Sequence, residues 1–236
     1  MKYILIILAI VVVAYVGYEY VRISRLVRIS TGLVESAKPF VRAEGLRSML
    51  VLGDSTAVGV GSAASESVAG RLSTALDMSV ENYSKSGART DDVGGQLKQI
   101  HNTKYDVILI QVGANDVIRF LSIRAARDSI NAILTKAGEL SDHVVLLTGG
   151  KIGNAPLFPK PFGFLWIERA ATLRGEFVDA AQKHDAVYVD LFNTADAFDA
   201  EPERYYASDG LHLTSEGYRF WFEETRKAIE KKWPEL

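Results

Sequence analysis

From residue 47 onward the chain alternates short apolar runs with longer amphipathic stretches, and this alternation limits the fold more than any other feature. The apolar runs fall at 49–53, 79–83, 106–112, 143–148 and 186–191, and helical patterns lie near 66–77, 91–101, 122–138, 166–184 and 214–232. The runs are continuous, not alternating apolar with polar, which is the pattern of strands buried on both faces. Strand and helix taking turns predict a parallel sheet covered by helices on both sides. No Gly-, Ser- or Pro-rich linker interrupts residues 47–236, so this region is read as one domain. In open sheets of this kind a ligand binds beyond the carboxyl ends of the strands. The residues after each run are therefore where chemistry is expected.

The N-terminal region is of another kind. Residues 4–16 are uninterruptedly apolar and 18–21 extend the run. As a helix, residues 3–21 would be about 28 Å long, close to a hydrocarbon core of about 30 Å. Tyr15, Tyr18 and Tyr20 suit the interfacial belt. A cleaved signal peptide is the rival reading. A small-x-small cleavage site is poor, since Gly17 pairs with Tyr15 and Val12/Ala14 is only fair, so residues 1–21 are read as an uncleaved transmembrane anchor. Residues 22–46 follow as a basic amphipathic linker. Ile23, Leu26, Val27, Leu33 and Val34 recur at helical spacing among Arg22, Arg25 and Arg28, and Pro39 ends the pattern. This helix is expected to lie on the membrane surface or on the domain, or to serve as a simple stalk. The expected location is a single-pass protein of a bacterial inner membrane. The arginines after the span favour a cytoplasmic domain, an exported hydrolase requires the opposite, and the sequence leaves the side open.

Composition narrows the function classes. A net charge of −2 gives no basic excess for nucleic acid. The absence of cysteine excludes disulfides, thiolate metal sites and cysteine nucleophiles. The histidines at 101, 143, 184 and 212 are too scattered for a metal cluster, and no metal or organic cofactor is expected. Gly59-Val60-Gly61 hints at a phosphate loop, but no full G-x-G-x-x-G pattern or P-loop lysine follows.

Four pieces stand at the places singled out above. Gly53-Asp54-Ser55-Thr56 puts a serine directly after the first strand, where a helix cap is the ordinary role. Gly87 follows the second strand, either as a turn glycine or as a backbone donor. Asn115, in Gly113-Ala114-Asn115-Asp116, follows the third and offers an amide to a developing oxyanion, or caps a turn. Asp209-Gly210-Leu211-His212 precedes the last helix. There an aspartate can hold the imidazole Nδ1–H and leave Nε2 free to take a proton from a serine.

In that order the four blocks, GDS, glycine, GxND and DxxH, resemble the SGNH (GDSL-type) serine hydrolases over residues 50–217. The resemblance implies a three-layer α/β/α flavodoxin-like fold with a five-stranded parallel sheet. It also implies Ser55 as nucleophile, His212 as general base and Asp209 as its orienting carboxylate. Ser55 N–H, Gly87 N–H and the Asn115 side chain would form the oxyanion hole. Thr56 stands where the family name has leucine. Asp54 and Asp116 are read as loop-fixing residues. The expected activity is ester hydrolysis of carboxylesterase or lysophospholipase type, on a small-molecule, lipid or glycan ester, through an acyl-serine. The alternatives are O-acyl transfer or carbohydrate deacetylation with the same triad, or a silent membrane-tethered binding module. Leu157, Phe158, Phe162 and Phe164, in the aromatic-rich segment after the fourth strand, are expected to wall an acyl pocket. Oligomeric state is not readable.

Overall fold

The chain was described from a computed structural model covering residues 2–194 and 196–236. Five strands form one fully parallel sheet: β1 (Arg47–Gly53), β2 (Met78–Asn82), β3 (Val107–Gln111), β4 (Val144–Leu147) and β5 (Val187–Val189), in the order β2-β1-β3-β4-β5. Because successive side chains point to opposite faces, each apolar run feeds two cores at once. Met49 and Val51 of β1 join one cluster with Val107, Leu109, Val145 and Leu147. Leu50 and Leu52 join the other with Ile108, Ile110, Val144 and Leu146.

Helices cover both faces. On the first lie α3 (Val68–Leu76), through Val68 and Leu72, and α10 (Ser215–Lys232), through Tyr218, Trp221 and Ile229. On the second lie α4 (Thr90–Leu97), α6 (Ile123–Leu140) and α7 (Gly163–Lys183), through Val93, Ile130, Leu134, Leu173 and Phe177. Side-chain caps start several of them: Ser67 Oγ accepts from Gly70 N–H, Ser122 Oγ from Ala125 N–H and Thr214 Oγ1 from Gly217 N–H. The expected three-layer flavodoxin-like fold is the one observed, with strand ends within two or three residues of the sequence reading.

The strand order reverses between β1 and β3, which opens a crevice at their carboxyl ends. Packing there requires glycine at the last position of β1. Gly53 has φ +139°, and a Cβ on it would lie 1.9 Å from the Gln111 carbonyl oxygen of β3. The Gln96 amide of α4 clamps the same residue, accepting from Gly53 N–H and donating to Gly53 O, both at 2.8 Å.

The N-terminal region forms one helix, α1 (Lys2–Ser36), not an anchor helix followed by a separate linker helix. No proline interrupts it before Pro39. Its first part is long and apolar enough to cross a membrane. Its half-buried positions are Tyr15, Glu19, Arg22, Ile23, Leu26, Ile29, Ser30, Leu33 and Val34, which follow the three- and four-residue spacing of one helical face. That face lies against the α/β domain. Arg22 pairs with Glu19 and donates to the carbonyls of Pro156 and Leu157, at 2.6 and 3.1 Å. After the helix, Arg42 bridges antiparallel to Val80 on edge strand β2.

Candidate active site

The turn after β1 is fixed before any chemistry is asked of it. Asp54 caps the short helix α2 (Ser55–Val58), its Oδ1 accepting from Thr56 N–H at 2.9 Å and from the Thr56 hydroxyl at 2.8 Å. Ser55 thus stands at a helix start, directly beyond a strand, with its backbone N–H donating to no acceptor among the described residues. Thr56, the departure from the family name, supplies a second hydrogen bond to the capping carboxylate. Asp54 Oδ2 is buried without a partner, as are both amide atoms of Gln111. Burial pushes the Asp54 carboxyl up to about 6, against the opposing pull of the Thr56 donors and the nearby His212.

The loops after β2 and β3 are tied together in the same manner. Asp116, in α5 (Ala114–Ile118), accepts from Thr90 N–H at 3.0 Å and from the Thr90 hydroxyl at 2.9 Å. Burial raises its carboxyl above the ordinary range, partly offset by those Thr90 bonds. Asn115 Nδ2 donates to Ala88 O at 3.0 Å, so one amide hydrogen fixes the side chain while the other remains available. Gly87 adopts φ +80°, the left-handed conformation that favours glycine. Its N–H, like that of Ser55, has no acceptor among the described residues.

The fourth block folds back on itself as one turn. Asp209 is fully buried. Its Oδ1 accepts the N–H groups of Leu211 and His212 at 3.0 Å each, and its Oδ2 meets His212 Nδ1 at 2.6 Å. Burial pulls the Asp209 carboxyl upward, but the His212 ring and the two backbone donors outweigh it and hold it below its ordinary value. An ionised Asp209 fixes the tautomer with hydrogen on Nδ1 and leaves Nε2 as the basic nitrogen.

Ser55, Gly87, Asn115 and His212 all line one cavity of about 280 Å³. Ser55 and His212 share its wall without a direct hydrogen bond between them. The rest of the lining is mostly apolar. It includes Leu191, Leu213, Phe220 and Trp221, with Phe198 from α8 (Asp196–Ala200) and Tyr206, which follows α9 (Pro202–Tyr205). Helix α1 also contributes, through Ser30 and Val34.

The aromatic segment after β4 is placed differently from the expectation. Gly149, Gly150, Lys151 and Ile152 do line the cavity, but Leu157, Phe158, Phe162 and Phe164 do not. After Ile152 the chain turns away through two short 3-10 turns before entering α7. Phe158 is buried against Trp166, ring centroids 4.6 Å apart. Leu157 N–H donates to Gly210 O, between Asp209 and His212, at 2.9 Å. Phe162 and Phe164 face outward, about half exposed. The apolar wall comes instead from α1, α8 and α10. Phe220 and Trp221 had a sequence signal, as aromatics one to two turns into the helix that DxxH introduces, and Val34 belonged to the apolar spacing after the span, whereas Ser30 had none.

A switch-point crevice, a capped serine, two backbone donors without acceptors among the described residues, an oriented amide and a carboxylate-held imidazole are thus gathered at one cavity. The family model described as GDSL-like lipase/acylhydrolase matches residues 51–220. The chain belongs to that family, whose members act on esters. Its fold is similar to an acetylxylan esterase from Geobacillus stearothermophilus, at 19% identity and TM-score 0.57, covering 78% of this chain and 94% of that one. It is similar also to a member of the lipolytic G-D-S-L family from Veillonella parvula, at 13% identity and TM-score 0.63, covering 80% and 99%. A lipase/acylhydrolase from Enterococcus faecalis matches at 21% identity and TM-score 0.58, covering 79% and 97%. No curated protein sequence matches significantly.

Proposed function

We propose that the protein is a membrane-anchored ester hydrolase that works through an acyl-serine on Ser55. Ser55 Oγ attacks the ester carbonyl while His212 Nε2 takes its proton, and Asp209 stabilises the imidazolium. The oxyanion is received by Ser55 N–H, Gly87 N–H and the free Asn115 amide hydrogen. His212 then protonates the leaving alcohol, and water repeats the sequence to release the acid. The observation that carries this reading is the 2.6 Å Asp209–His212 contact, in a turn that opens on the same cavity as Ser55. The apolar lining around Val34, Phe198 and Phe220 suits the acyl side of the ester. The length and hydropathy of α1 support the anchor.

The test is labelling by a fluorophosphonate. Wild type should be modified and should hydrolyse p-nitrophenyl esters, and Ser55→Ala should do neither while melting at the same temperature. Labelling that persists in Ser55→Ala would refute the assignment. Product analysis with an acceptor alcohol separates hydrolysis from acyl transfer, and a panel from acetyl to long-chain esters ranks substrates.

A further inference from the structure

The aromatic segment that does not line the cleft leaves an unexplained apolar surface. Phe162 and Phe164 are 49% and 52% exposed, Leu165 is 39% exposed, and Phe120 beside them is 52% exposed. Phe120 packs edge-on against Trp166 and has φ +52°, a strained conformation for a bulky residue. Lys160 stands exposed in the same loop, and Arg119 stands exposed beside Phe120.

What covers this surface is indicated by where α1 holds it. Residues 3–21 are the apolar part of the helix and, at about 1.5 Å per residue, fill a hydrocarbon layer. Arg22 comes next, and its guanidinium is bonded to the carbonyls of Pro156 and Leu157. Phe158, next in the chain, packs on Trp166, so the segment carrying Phe162, Phe164 and Leu165 is tied to the point where the apolar span ends. Tyr15 and Glu19, nearer the middle of the span, are half-buried on the same face. Arg25 and Arg28 point outward from the next turn with no acidic partner among the described residues. Exposed aromatics with a cationic fringe at that depth fit a headgroup layer.

We propose that the segment over residues 159–165, at the start of α7, with Phe120, docks into the phospholipid surface of the membrane that α1 spans, seating the catalytic domain on the bilayer. The proposal rests on the anchored reading above. The chain has no cysteine, so a single introduced one is unique. The full chain carrying Phe164→Cys, and separately Leu165→Cys, is labelled with NBD and reconstituted into phosphatidylcholine–phosphatidylglycerol vesicles, with Thr135→Cys on exposed α6 as control. Iodide quenching at 164 and 165 should be at least about threefold weaker than at 135, as for groups seated in the interface, and spin-labelled lipid should quench only those two. Protein extracted from the vesicles at alkaline pH would overturn the anchor and the docking together, without touching the esterase reading. Anchored protein with equal iodide quenching at all three positions would overturn the docking alone. Protection that scales with protomers per vesicle would assign the surface to a second copy and overturn it as well.

Discussion

Asp54 offers the most quantitative prediction. Its side chain is 1% exposed, and burial lifts its carboxyl from an ordinary 3.8 to about 6. The folded state therefore holds the proton more tightly than the unfolded chain. That stabilising contribution is fully present below the unfolded value and is lost as pH rises through about 6. The whole gap corresponds to about 3 kcal/mol, of which about 2 kcal/mol is lost between pH 4 and pH 8, because the unfolded group is already about half ionised at pH 4. Asp54→Asn does not titrate, and its oxygen can still accept from Thr56. Its amide nitrogen adds a buried donor whose cost is the same at every pH and cancels in the slope. The stability of the variant minus that of wild type should thus rise by about 2 kcal/mol from pH 4 to pH 8. For a domain of this size that is a relative gain of about 4–8 °C in Tm. Melting both proteins by circular dichroism at intervals across that range measures it. A flat difference, or one falling with pH, would refute the argument that Asp54 is held in a water-poor pocket.

Four other outcomes are expected. Asp209→Asn should lower kcat by on the order of 10⁴-fold with the melting temperature nearly kept, because the imidazole loses its fixed tautomer; a loss under tenfold in steady-state kinetics would contradict this. Asn115→Ala should lower kcat by about 10²–10³-fold with little change in KM, and a change confined to KM would argue for a binding role. Val34→Trp should fill the α1 side of the cleft and shift the preference of kcat/KM toward shorter acyl chains, with an unchanged chain-length profile counting against the lining seen here. Gly53→Ala should give little folded protein, since its Cβ would fall 1.9 Å from the Gln111 oxygen at φ +139°; a soluble variant with wild-type Tm would show that the β1–β3 contact yields more easily than its geometry implies.

The strands and the long helices of the domain were legible because their signals are local. Continuous apolar runs such as 107–110 can satisfy both cores only as buried strands. Ser67, Ser122 and Thr214 mark helix starts through their own hydrogen bonds. The Asp209–His212 contact was legible for the same reason, since three residues of chain close it. Their meeting with Ser55 and Asn115 follows from strand order, which individual motifs do not encode but the ordered set of four does. The cleft wall was misplaced because aromatic content says only that a segment seeks burial or an apolar neighbour. Phe158 buries itself under Trp166, and Phe162 turns outward. Val34 reaches the cleft because α1 continues unbroken past Arg22 and lies back on the domain; the apolar spacing of Ile23, Leu26, Leu33 and Val34 allowed that docking, but a local pattern does not say which part of the domain it meets.

That contact changes what counts as the enzyme. The stretch shared with the family runs from residue 51 to 220, yet Ser30 and Val34 face the cavity, and Arg22 grips a loop that is itself bonded to Gly210, between Asp209 and His212. Cutting the chain at the apparent start of its domain would remove one side of the cavity and loosen the scaffold under the turn that carries His212. A solubilised version should therefore keep its leading helix from Arg22 onward, and activity measured on a shorter one would report a different, wider-mouthed catalyst.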